Sequence, residues 1–452
     1  MKNRFATYLA VLVMAFMALS CSNDGDETLS PYAYIKAFSI GDIKSSYPEF
    51  TESGEDTLVV KTISGSSLPF TINQATCEIF NKDSLPFSTD VSKVVMDMAV
   101  EGSVKIYNET DSKFESLYTT DSIDCTYPRV LRVTSLDGNY YQDYTVAVNV
   151  HKVDPERLVW KGIETPAGIA PEKAIEFNGE MLLLGKESAT PCFASMPLNG
   201  VSSWAVAAMS GIPESADFAT AIVFNGLLYA LADGDMYASS DAVNWTCVSQ
   251  GNGFVAIIGA SDEGGCIWVA NAGNIYRSTD GNQFDVVQAL PDNFPLYGVS
   301  AMSGVMAHNK NIVRYTLVGY PTSAKDSAPQ VWSILSTENR WVKYDNVGNP
   351  YPCPSLAGLT VLRYDNFLYA FGGKGVVAEE ETEAFASFYV SKDNGIVWKA
   401  MEGYYQLLPK AMKGADVPFV ATVDSNNYMW IITTDSNAGA WRGILNRLGF
   451  KK

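Results

Sequence analysis

Histidine is almost missing from this chain of 452 residues, which has two, His151 and His308. A metal centre assembled from several imidazoles therefore has no raw material. Basic residues are also scarce, 32 against 50 acidic ones, for a formal net charge of −18. That balance argues against nucleic acid or an anionic lipid surface as a partner, and most of the charge reads as solvated surface. The seven cysteines include no C-x-x-C pair, so a zinc site has no support. No long stretch after residue 20 carries helical periodicity, and the apolar run Tyr8 to Ala18 is too short for a stable membrane span. No cofactor is expected.

What the chain does have is apolar and aromatic residues (47% and 12%) and 35 glycines, the composition of an all-β protein with many turns. Its length suggests two or three domains. One stretch organises the last two-thirds: Ser391-Lys392-Asp393-Asn394-Gly395-Ile396-Val397-Trp398, or S-x-D-x-G-x-x-W. Looser copies occur at Ser278-Thr279-Asp280-Gly281, at Ser239-Ser240-Asp241 before Trp245, and at Ser336-Thr337-Glu338 before Trp341. Ser and Asp satisfy the loop's own backbone, Gly supplies positive φ, and the aromatic opens the next strand. This pattern resembles the Asp-box of sialidase-type β-propellers, a structural turn remote from the active site. A second repeat, Phe224-Asn225-Gly226-Leu227-Leu228-Tyr229, resembles the hairpin of kelch propellers; Phe177-Asn178-Gly179 and Tyr364-Asp365-Asn366 are further copies. Looser ones bring the hairpins to six. Six aromatics open the outer strands: Trp160, Trp204, Trp245, Phe284, Trp341 and Trp398. Their spacing suits four-stranded blades.

Taken in order, residues 1–20 read as an export signal, with Lys2 and Arg4 before the apolar run. Ala18-Leu19-Ser20-Cys21 resembles a lipobox, which implies acylation of Cys21 and anchoring in a membrane. An ordinary signal peptide with an accidental cysteine is the alternative. The acidic tether of residues 21–29 looks like a surface-export signal of Gram-negative lipoproteins. An outer-membrane, surface-exposed protein is therefore expected, with periplasm-facing attachment as the alternative. Residues 30–152 carry short alternating strands, expected to form an immunoglobulin-like β-sandwich acting as a spacer. Cys77 and Cys125 could pair there in an oxidising compartment. Residues 157–450 are expected to form a six-bladed propeller. The strand at about 158–163 has no inner strands before it, and three strands at the C-terminus lack a fourth. The first is expected to complete the last blade.

The chemistry is less determined. Galactose oxidase, a kelch propeller, needs copper held by two histidines; His308 is the one histidine in the expected ring, which argues against that activity. Sialidases need an arginine triad, and neither that pattern nor an Arg-Ile-Pro motif is present. Asp233 and Asp235, or Glu379 to Glu383 in a long insertion, are candidate carboxylates for glycoside hydrolysis, each with a solvated acidic loop as the plainer reading. A calcium site at Asp233 and Asp235 is a further alternative. No catalytic residue or metal ligand is assigned. Aromatics in the loops between blades mark the candidate binding face: Phe294-Pro295-Leu296-Tyr297, Tyr351-Pro352 and Tyr404-Tyr405. Flat rings stack on sugars or anchor a protein, against the alternative of packing between blades. Altogether the chain resembles surface lipoproteins with an immunoglobulin-like domain and a kelch/Asp-box propeller. The expected function is non-catalytic binding of a ligand, foremost a glycan. A carbohydrate hydrolase or lyase and a protein-interaction module of a surface complex are the alternatives.

Overall fold

The structure is a computed structural model that describes residues 29–50, 56–325, 327–345, 347–401 and 407–449. Cys21, Tyr404 and Tyr405 lie outside the described residues. The chain divides into two compact units, residues 1–154 and 155–452. Among the described residues no helix is long and apolar enough to cross a membrane.

Among the described residues the first unit is built from three sheets. Its largest has six strands in the order Phe70–Asn73, Glu78–Asn81, Tyr141–Ala147, Arg129–Thr134, Ser103–Asn108, Lys113–Ser116. The second and third of these run parallel. A three-stranded sheet holds Tyr34–Ile40 against Val94–Glu101. The two share one core, in which Ile35, Val94 and Met96 meet Ile79, Leu131, Val133 and Tyr144. Strict alternation, as in the buried Leu131 and Val133 of Arg129–Thr134, is what lets each strand bury one face. Cys77 and Cys125 are both free thiols. The pairing left open by the sequence is not formed in this structure: Cys77 meets the Gln142 amide at 2.6 Å, while Cys125 is buried in the core. Burial pushes the Cys125 thiol up to about 12.

Among the described residues the second unit contains six four-stranded antiparallel sheets in chain order. Their first strands are Ala170–Phe177, Asp217–Phe224, Phe254–Ser261, Tyr297–Met306, Thr360–Tyr364 and Phe419–Val423. Each of these strands neighbours the next, and the sixth neighbours the first, so that they close a cycle. In the sixth sheet Met429–Thr433 and Ala440–Leu445 follow, and the fourth strand is Leu158–Ile163 from the start of the unit. Leu158 faces Leu445 and Ile163 faces Ala440 across this pairing. Trp160 lies over Gly443 and Trp441 over Gly162; each glycine leaves the opposite indole room to lie flat. The second strands are almost wholly apolar, as in Leu227–Ala232 and Met429–Thr433, because sheets cover them on both faces.

Candidate functional site

In a four-stranded meander the turns joining strands one to two and three to four fall on one side. The two-to-three turns and the connections between sheets fall on the other. The Asn-Gly pairs make the first kind. Asn178 and Gly179, Asn225 and Gly226, and Asp365 and Asn366 all have positive φ at both positions, which a type I′ turn requires.

The Ser-Asp turns fall on the same side, between third and fourth strands. Ser391 is fully buried and donates to Asp393 at 2.7 Å, while its Oγ accepts the Gly395 N–H. Asp393 accepts the N–H groups of Ile396 and Val397, and the Trp398 indole donates to the Gly395 carbonyl. Asp280 accepts from Asn282 and Gln283, and Asp241 from Val243 and Asn244. Ser278 and Ser239 donate to these carboxylates in the same way. The backbone and side chain of Asn244 hold the Asp241 carboxyl down at about 2. Two departures from the sequence reading appear. Ser336 instead accepts the Val313 N–H, and among the described residues Glu338 captures no backbone donor. Conversely Thr433-Thr434-Asp435, between the second and third strands of the sixth sheet and so on the opposite side, forms a like turn: Asp435 accepts from Asn437 and Ala438, and the Trp441 indole donates to the Ala438 carbonyl. Threonine in place of serine and a longer run to the tryptophan hid it.

On the opposite side, Asp233 and Gly234 turn the chain between two strands of the second sheet. Asp233 accepts the Ser215 hydroxyl at 2.7 Å and Asp235 the Gly251 N–H at 2.7 Å. Both carboxylates thus tie neighbouring loops to the turn, and neither lines the central cavity. Glu380 to Thr382 pair with Gly375 to Val377 in a small separate sheet, with Glu379 in the turn between them. Among the described residues no group of three or more His, Cys, Asp or Glu could hold a metal ion.

The aromatic loops divide. Phe294 is buried, its ring 5.0 Å from that of Trp332 and 5.9 Å from that of Trp341, so it is packing between sheets and not a free face. Tyr351 sits on the hairpin side: its carbonyl takes the Trp398 N–H, and Lys399 lies 4.8 Å over its ring. Its loop runs out along the next sheet before turning inward, which carries it away from the channel. Tyr297 is partly exposed and precedes Gly298, which lines the channel mouth, but its own side chain is not part of that lining.

The cavity that all six first strands enclose is the candidate site, with a volume of about 260 Å³. Its polar lining is Lys173, Thr220, Ser300, Ser303, Thr360, Arg363 and Thr422. A second cavity of about 260 Å³ forms its mouth and adds Glu172 and Lys325. Lys173 donates to the Ala219 carbonyl at 3.5 Å. Among the described residues neither Lys173 nor Arg363 forms an ion pair. Glu172, the nearest acid of the lining, is held by Lys186 and by the Phe218 N–H. Burial pushes the Lys173 pKa below its usual value, with Asp217 pulling weakly the other way. Burial first, then the Arg314 charge, lowers that of Arg363. The Thr220 hydroxyl is buried and has no partner among the described residues. The sequence reading missed these cations because Lys173 and Arg363 stand in ordinary strands, and only the ring brings them to one cavity.

A ring of four-stranded sheets about an axial cavity is a β-propeller. The chain belongs to the DUF6242 family: residues 154–452 match its β-propeller domain and residues 38–148 its N-terminal domain. No curated protein matches the chain. Solved structures similar to it include a streptogramin B lyase, at 13% identity and TM-score 0.38, covering 64% of this chain and 98% of that one. An α-L-arabinanase of Penicillium chrysogenum complexed with arabinobiose follows at 10% identity and TM-score 0.39, covering 64% and 99%. A gluconolactonase of Xanthomonas campestris has 13% identity and TM-score 0.39, covering 64% and 89%. Likeness at this level concerns the fold and carries no argument about chemistry.

Proposed function

We propose that this protein is a lipid-anchored surface protein whose six-bladed propeller, closed by the strand Leu158–Ile163, binds a glycan at its axial cavity without catalysis. In this reading Cys21 carries the anchor, the immunoglobulin-like unit is a spacer, and the kelch and Asp-box turns are scaffold. The observation that carries it is the distribution of polar groups. Of the carboxylates that could have served a hydrolase, Asp233 and Asp235 are engaged by neighbouring loops, and Glu380 and Glu381 stand in a small separate sheet. Hydroxyls and two cations face the cavity instead, with the exposed Tyr297 one residue before Gly298 of its mouth. Hydroxyl-rich linings exchange hydrogen bonds with sugar hydroxyls, and a flat ring at the rim stacks on a sugar face.

Affinity electrophoresis through gels containing different polysaccharides tests the reading. Retardation by one polymer, weakened in Tyr297→Ala, is the expected result. Normal mobility in every gel would overturn it and favour a protein partner, and release of reducing ends from a retarding polymer would favour a hydrolase.

A further inference from the structure

We propose that the axial cavity is an anion site in which Lys173 and Arg363 receive the carboxylate or sulfate of an acidic saccharide. The proposal deepens the glycan reading and rests on it.

The argument begins with charge. The chain is strongly acidic, at −18, yet the side chains that enter its central cavity bring positive charge. An unpaired cation enclosed by protein is unfavourable, and sequences seldom retain one without compensation. Lys173 has one long contact, to the Ala219 carbonyl, and so has donors to spare. Arg363 lies directly over the backbone of Gly304, where no Cβ would fit beneath it. Its guanidinium therefore rests flat on the fourth sheet. Arg314 beside it is already engaged, by the Tyr344 hydroxyl at 2.9 Å and by Ser333 at 3.4 Å. That second positive charge adds to the local field without competing for the ligand.

The acids around the cavity do not neutralise this field. Glu172 is shared with Lys186 at 3.6 Å, and Asp217 caps the Ala219 N–H at 2.9 Å. Thr220, whose buried hydroxyl lacks a partner, lines the same cavity as both cations. An acidic saccharide in the cavity would meet these groups in turn: the fork of Arg363 fits two oxygens of an anion, while Lys173, which also lines the mouth, and Thr220 add further donors. At the mouth, Lys325 lies over Gly298 and extends the positive lining toward solvent. Carboxylate and sulfate share this chemistry, so the probes must separate them.

The test is titration calorimetry of the full chain in mild detergent, at low salt, with three trisaccharides of one linkage: neutral, uronic and sulfated. The expected result is that at least one acidic trisaccharide binds about tenfold or more tightly than the neutral one, and which one does so names the anion. The preference should fall to within about twofold in both Lys173→Met and Arg363→Met. Lys173→Met removes an enclosed charge and is expected to fold; a thermal melt checks each variant. Equal affinity for neutral and acidic probes, or a preference that survives in both variants, would overturn the inference. If neutral polysaccharide gels retard the protein while no acidic probe is preferred, the inference fails and the glycan reading stands. Normal mobility in every gel sinks both.

Discussion

On the hairpin side of the ring, Asp241, Asp280 and Asp393 each accept two backbone N–H groups and a serine hydroxyl within their own loop. In the channel, Lys173 and Arg363 are enclosed by six strands and meet no carboxylate at ion-pair distance among the described residues. Both are sets of charged side chains on one scaffold, but their hydrogen-bonding capacity is spent differently. A carboxylate whose oxygens are taken up by its own turn stabilises that turn and has little left for a ligand. A cation with free donors in a cavity stabilises nothing in the unliganded chain, so its presence points outward, to something that binds. Charge alone does not mark a functional residue; uncommitted charge inside a cavity makes a residue a candidate.

The contrast can be broken from either end. The largest effect is expected at Trp398, 2% exposed behind the Ser391 turn. Trp398→Ala should cost about 3–5 kcal/mol in urea unfolding and leave polysaccharide retardation intact where the variant is folded. Loss of binding with unchanged stability would reverse the roles assigned to the two sides. Ser391→Ala leaves the Gly395 N–H without its acceptor and should cost about 1–3 kcal/mol by the same measurement.

Lys173→Met has the opposite sign. Removing an enclosed, unpaired charge should raise stability by on the order of 1 kcal/mol, read as a Tm shift of a few degrees. The pH dependence sharpens this. Because burial lowers the folded-state pKa of Lys173 below 10.5, the charged form is penalised in the native state. That penalty is full below the lowered pKa and fades as pH climbs from there toward 10.5. The advantage of Lys173→Met should therefore be greatest near neutrality and shrink in alkali. An advantage independent of pH would mean that Lys173 is not penalised in the fold.

The smallest effect is at Asp241. Its pKa is depressed from 3.8 to about 2 by the Asn244 backbone above all, so its contribution is present above 3.8 and is lost as pH falls toward about 2. Asp241→Asn should flatten the stability profile across that acid window, as followed by thermal melts.

Much of the scaffold was legible because its signals are local. Asn225-Gly226 announces a turn, since few other pairs tolerate positive φ twice in succession. Ser391 to Trp398 announces another, because the hydrogen bonds of Ser391, Asp393 and the Trp398 indole lie within eight residues of chain. The same locality fails where lengths vary, as at Thr433 to Trp441. The channel was illegible for the converse reason. Lys173 in Ala170–Phe177 and Arg363 in Thr360–Tyr364 look like the polar positions of half-exposed strands. Their meeting depends on ring closure over the whole unit, which no window of sequence contains. Tyr351 failed in another way: loop membership was read correctly, but the loop's path along the neighbouring sheet takes it to the hairpin side.

The central claim is that ligand binding belongs to the channel and not to the hairpin side. Affinity electrophoresis of wild type, Lys173→Met and Ser391→Ala, side by side in the gel that retards the wild type most, tests it directly. The account predicts that retardation is weakened in Lys173→Met and unchanged in Ser391→Ala. Retardation undiminished in Lys173→Met, or lost by a folded Ser391→Ala, would contradict it.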